Sequence, residues 1–118
     1  MKKEGQKGIL FKSFYKNGQT KSEGTYIKEQ PEGVFRWYYE NGQLKIEQNY
    51  KNGKKEGIVR TYYGSSKLKS EGNFLDNKYE GEFKTYFENG NIKHKSFYKN
   101  GHAYGISHWY NENGQLRP

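Results

Sequence analysis

Three sets of side chains in this chain have the type and spacing to bind something. Lys12, Arg36, Arg60, Lys84 and His108 are cationic or titratable and recur every 24 residues. Phe14, Tyr38, Tyr62, Tyr86 and Tyr110 recur at the same interval, and so do Lys21, Lys45, Lys69, Lys93 and Arg117. Aromatic rings between two cationic rows can stack bases while the cations meet phosphates, and they can also meet anionic lipid headgroups. A fourth set, Glu23, Glu47 and Glu71, follows the same period and partly neutralises the cations. Set against binding is a structural role, in which cation–π contacts and ion pairs stabilise a one-layer sheet.

Other chemistries find no convergent residues. The histidines are His94, His102 and His108, and their repeat positions place them on different faces or in a turn. With no cysteine, disulfides and thiolate metal sites are excluded. The 15 glycines are spaced as turns and ring contacts, with no G-x-x-x-x-G-K-[ST] run to cradle a phosphate. The single Asp is Asp76, and no triad motif accompanies the serines. The expectation is a non-enzyme with no metal, no cofactor and no small-molecule substrate.

The period that spaces these residues organises the whole chain. Gly33, Gly57, Gly81 and Gly105 lie 24 apart, as do Tyr26, Tyr50, Phe74 and Tyr98. Such a period signals a repeat architecture. The copies run 8–32, 33–56, 57–80, 81–104 and a half copy 105–118, with residues 1–7 as an N-terminal extension. Each copy reads as two strands. The first is Gly33 to Tyr39 and the second Gln43 to Tyr50, joined by Asn41-Gly42, the residues of a type I′ hairpin turn. Asn17-Gly18, Asn89-Gly90 and Asn113-Gly114 repeat that turn, and Ser65-Ser66 replaces it once. Second turns are expected at Asn52-Gly53, Asp76-Asn77 and Asn100-Gly101, with a different loop at Lys28-Glu29-Gln30-Pro31.

A two-residue turn at 41–42 fixes the register. It sets Arg36 opposite Glu47 and Tyr38 opposite Lys45 on one polar face. Trp37 opposite Ile46, Phe35 opposite Gln48 and Tyr39 opposite Leu44 fall on the other face. The candidate apolar interaction face therefore carries Phe35, Trp37, Tyr39, Tyr63, Phe83 and Phe87. A second turn that brings Tyr50 to Gly57 also sets Arg60 beside Glu47. Lys84 faces Lys95, a like-charge pair.

Composition agrees with an all-β chain. Only 31% of the 118 residues are hydrophobic, and 18% are aromatic. A core must be built from rings. A Leu-rich helical bundle and a doubly wound parallel sheet, with its continuous Val/Ile/Leu strands, are both excluded. No stretch approaches the 18 apolar residues of a membrane-spanning helix. The start, Met1-Lys2-Lys3-Glu4-Gly5, lacks the apolar segment of a secretory signal, so a cytoplasmic location is expected. The net charge of +8 allows an anionic partner.

A copy such as GVFRWYYENGQLKIEQNYKNGKKE, with its glycine, aromatic and turn positions, resembles the MORN-repeat family. It is most similar to the bacterial variant of about 24 residues, whose members are commonly labelled antitoxin-like. The resemblance covers residues 8–118. Gln48 and Ser96 depart from it where other copies have Gly, and Ser65-Ser66 departs in one turn. It implies a single-layer antiparallel meander of β-hairpins that scaffolds proteins or lipids and has no catalytic residues. Two functions follow as expectations. One is a protein-interaction scaffold, antitoxin-like or inhibitory, that sequesters another protein or self-associates. The other is an anion-binding module for nucleic acid or acidic phospholipid, acting through the Lys/Arg/Tyr face.

Overall fold

The computed structural model describes residues 8–118; the N-terminal extension at 1–7 lies outside the described residues. The described residues form ten strands and no helix. They are β1 (Ile9–Phe14), β2 (Thr20–Ile27), β3 (Gln30–Tyr38), β4 (Leu44–Lys51), β5 (Lys54–Tyr62), β6 (Leu68–Leu75), β7 (Lys78–Tyr79), β8 (Gly81–Tyr86), β9 (Ile92–Lys99) and β10 (His102–Trp109). All belong to one antiparallel meander in sequence order, with the short β7 pairing β6 beside β8. The sheet measures 54 × 37 × 17 Å. Its Cα radius of gyration is 16.7 Å, against about 13–14 Å for a compact chain of this length. It is thus an open single layer.

The two kinds of turn exchange the roles expected of them. At 41–42 only Gly42 has positive φ, at 90°, so the turn is not type I′. Gly42 N–H donates to Tyr39 O at 2.9 Å, and Tyr39 N–H donates to Gln43 O at 2.8 Å. This is a three-residue loop, Glu40-Asn41-Gly42, ending in a left-handed glycine. Asn41 serves it through its side chain, whose Oδ1 accepts the Gln43 N–H at 2.9 Å. The type I′ geometry belongs to the second turns, where Asn52 and Gly53, and Asp76 and Asn77, all have positive φ. Lys28 and Glu29 do the same, so the first copy has the same two-residue turn rather than a different loop.

A bulge inside each copy reconciles register with turn. Tyr38 pairs Leu44, not Lys45, and the ladder shifts by one before Trp37 pairs Ile46. Lys45 is the extra residue. Beyond it the expected pairs hold, with Arg36 on Glu47 and Phe35 on Gln48. A second irregularity lies at Gly57, whose φ is +90°. Tyr50 pairs Lys55 rather than Gly57, yet Glu47 still pairs Arg60, because β5 inserts two residues opposite Asn49. The 24-residue glycines thus mark bulges, which also strengthen strand twist.

Rings form the core along one face. Phe35, Val59 and Phe74 are its buried apolar residues. The Phe35 ring is closed over by Tyr26 at 5.4 Å, Tyr50 at 5.1 Å and Trp37 at 6.1 Å between centroids. Phe74, Tyr79, Phe83 and Tyr98 form a second cluster. Edge-to-face ring pairs each contribute about 0.5–1.5 kcal/mol beyond area burial. Beneath the rings runs the row Gly24, Gln48, Gly72 and Ser96, all four buried. A Cβ on Gly24 would lie 2.2 Å from the Phe35 ring, and one on Gly72 2.5 Å from Phe83. The glycines therefore sit under rings of the following strand. Gln48 is accommodated because its neighbour there is the smaller Val59.

Candidate functional site

On the polar face the charged residues form a single ladder perpendicular to the strands. In register it reads Lys12, Glu23, Arg36, Glu47, Arg60, Glu71, Lys84, Lys95, His108. Arg36 Nε lies 3.0 Å from Glu47, and Arg60 Nε 2.7 Å from Glu71. Arg60 also reaches Glu47 at 3.9 Å, and Lys12 reaches Glu23 at 3.7 Å. The hydrogen bond to Glu71 raises the Arg60 pKa. Tyr38 joins the ladder by donating its hydroxyl to Glu23 at 2.6 Å. Burial, followed by the hydrogen bond and charge of Glu23, pushes the Tyr38 phenol up to about 12. Lys12, Arg36 and Arg60 are thus engaged by the ladder's acids, as the pairing with the Glu row implied, and Lys84 is engaged by Glu82. The ladder is mainly an internal stabiliser, with each exposed pair worth about 0–1 kcal/mol.

The structure removes Lys21, Lys45, Lys69 and Lys93 from this face. Their ammonium groups lie over Tyr15 at 5.8 Å, Tyr39 at 5.5 Å, Tyr63 at 5.6 Å and Phe87 at 5.7 Å. The cause is the bulge at the lysine, which turns it toward the ring face. The expected sandwich of Tyr38, Tyr62, Tyr86 and Tyr110 between two cationic rows is thus not assembled. His108 stays in register with Lys95 on the polar face, and His94 stacks on Trp109 at 3.8 Å on the other.

The candidate apolar face is largely occupied by itself. Phe35 is 6% exposed, and Trp37, Tyr39, Tyr63, Phe83 and Phe87 are half-buried. Tyr39 donates its hydroxyl to Tyr62 O at 2.7 Å, and Tyr63 to Tyr86 O at 2.6 Å. Tyr15 does the same to Tyr38 O. The first three copies are so tied to the next, while the fourth carries Phe87 with no hydroxyl to donate; reading these rings as merely apolar missed the tie.

Two further rows escaped the sequence reading although they share the 24-residue period. Glu56 Oε1 accepts the Asp76 N–H at 3.3 Å, and Glu80 accepts that of Asn100 at 3.0 Å, as Glu32 does for Asn52. These acids brace the second turns. The other row is aliphatic and lies on the polar face, two residues along each strand from the ladder. Leu10 is 64% exposed, Val34 37%, Ile58 41% and Ile106 77%. Glu32, Asn49, Glu56, Ile58 and Arg60 line a shallow groove there. Alternation with Phe35 and Val59 was the signal that could have revealed the row.

Among the described residues no group of three or more His, Cys, Asp or Glu is arranged to hold a metal ion. No curated protein matches the chain. The model of the MORN repeat variant matches four consecutive blocks, residues 7–28, 31–52, 55–76 and 79–100. Each block holds one three-residue loop and ends on the first residue of a type I′ turn, so the matched unit coincides with the structural one. With most of its length matched, and an open meander of hairpins as its fold, the chain belongs to the MORN-repeat family.

Proposed function

We propose that this protein is a non-catalytic interaction scaffold that engages another protein through its ion-paired face. MORN repeats occur in membrane-binding and protein-binding contexts. The observation that carries the reading is the exposed row Leu10, Val34 and Ile58, spaced by two strands, or about 10 Å. Aliphatic groups set among ion pairs on an open sheet face give the apolar centre and polar rim of a protein interface. The polar side chains are committed to ladder pairs and turn bracing rather than to a reacting centre. In its finer form the proposal is an antitoxin-like or inhibitory module that sequesters its partner.

Affinity capture from host lysate tests this, comparing the parent chain with Val34→Glu/Ile58→Glu. Both sites are exposed, so the variant should keep its circular dichroism spectrum. A defined protein retained by the parent and lost by the variant supports the proposal. Equal retention by both overturns the assignment to this face. A second copy of the chain is the self-associating case, which sedimentation identifies.

The anion-binding alternative rests on a different observation. Lys21, Lys45, Lys69 and Lys93 are exposed on the ring face, each above an aromatic side chain. Binding of oligothymidine or phosphatidylserine vesicles that falls steeply with salt and is lost in Lys45→Glu/Lys69→Glu would favour it.

A further inference from the structure

The ladder alternates in sign for seven positions and then fails. Glu23, Glu47 and Glu71 occupy equivalent places in three copies, and the fourth copy puts Lys95 there. Lys95 stands in register between Lys84 and His108, so three basic side chains are adjacent. Glu82 bridges the two lysines, 3.3 Å from Lys84 and 3.8 Å from Lys95, and lies in the row otherwise held by Leu10, Val34, Ile58 and Ile106.

The same corner of the same face departs from the repeat in two more places. Phe97 replaces Thr25, Asn49 and Asn73, and Tyr104 replaces Glu32, Glu56 and Glu80. Phe97 and Tyr104 are register partners with ring centroids 6.4 Å apart. Tyr104 is 54% exposed and the adjacent Ile106 77%. Terminal copies of a repeat protein are commonly atypical because they cap the array, and a cap is polar. The two ring replacements run the other way, from acid, amide or hydroxyl to aromatic, and the change at Lys95 reverses a charge rather than adding polarity.

We propose that this corner docks an extended protein segment that supplies the carboxylate missing from the ladder and an apolar side chain beside it. The carboxylate would meet Lys95, which Glu82 reaches at 3.8 Å while holding Lys84 more closely at 3.3 Å, and the apolar group would lie on Phe97, Tyr104 and Ile106. The two rows are two residues apart along a strand, about 7 Å, which is the i to i+2 distance of an extended segment. The recognised pattern is therefore Asp or Glu, any residue, then a large apolar residue, in either direction. One cluster of three basic groups across neighbouring strands spans only about 10 Å. That suits one or two carboxylates better than a nucleic-acid backbone. The proposal rests on the scaffold reading and assigns its partner's chemistry.

The test is panning of a random dodecapeptide phage library on the full chain, followed by binding of selected peptides to Lys95→Glu and Tyr104→Glu. Both substitutions restore what the other copies carry, so the fold should persist, which circular dichroism checks. Enriched peptides should carry the acid-x-apolar pattern and bind each variant about tenfold or more weakly, the loss of one charge-assisted hydrogen bond or one apolar contact. Peptides that bind both variants like the parent overturn the corner assignment and leave the scaffold reading standing. No enrichment overturns it as well. So does Lys95-dependent binding of phosphatidylserine vesicles or oligothymidine without peptide enrichment. The scaffold reading is decided separately, by capture with the Val34→Glu/Ile58→Glu variant.

Discussion

Ser66 occupies the left-handed position that glycine takes in the other three-residue loops, with φ of 76°. Its N–H still donates to Tyr63 O at 2.9 Å, so the turn forms despite the side chain. For an L-residue that conformation costs about 1–2 kcal/mol. Ser66→Gly should therefore raise stability by about 1 kcal/mol, read as a higher urea midpoint at unchanged slope. His94 responds to pH. Burial against the Trp109 ring lowers its pKa from 6.5. A histidine whose folded pKa is depressed resists protonation when folded, whereas the unfolded chain accepts the proton freely. Its contribution to stability is complete above pH 6.5 and is lost as pH falls through the lowered folded value. His94→Gln should remove that component from the stability profile. In a Trp37→Phe background, Trp109 fluorescence should titrate with a midpoint below 6.5 in the parent and lose that transition in His94→Gln.

At the scale of strands and hairpins, volume is matched between neighbours. Phe35 covers Gly24 and Phe83 covers Gly72, while Val59 leaves room for Gln48. Gly24→Ala should cost about 1–3 kcal/mol by overpacking, since its Cβ would meet the ring at 2.2 Å. The same change in a Phe35→Val background should cost clearly less, and a urea double-mutant cycle measures the coupling. How far this was legible beforehand depends on how local the cause is. Strand content, hairpin period and the pairs Arg36–Glu47 and Phe35–Gln48 follow from alternation and repeat spacing, both visible in the sequence. The side of the sheet taken by Lys45 does not, because it depends on one inserted residue. A type I′ turn and a three-residue loop with a bulge use the same Asn-Gly pair and differ in the φ of Asn41 and in whether Glu40 belongs to the strand or to the loop. Choosing the former placed Lys45 against Tyr38 instead of Tyr39. The glycines at 24-residue spacing were equally visible, but their role as bulges depends on a positive φ that several turn types share.

At the scale of the whole molecule, an open sheet has two faces with different duties. The ring face is where burial, cation–π contacts and Tyr hydroxyl bonds between copies join the repeats. The ladder face holds ion pairs, a row of exposed aliphatic side chains and the irregular corner at Lys95. With the ring face consumed by the sheet's own stability, the ladder face is the one proposed to meet a partner. Methyl NMR of the chain with its captured partner tests this division directly. Val34, Ile58 and Ile106 report on the ladder face, and Ile46 and Val59 on the ring face. The account predicts that adding partner shifts or broadens the first three methyl sets and leaves Ile46 and Val59 in place. Perturbation of Ile46 and Val59 with Val34, Ile58 and Ile106 unmoved would contradict it.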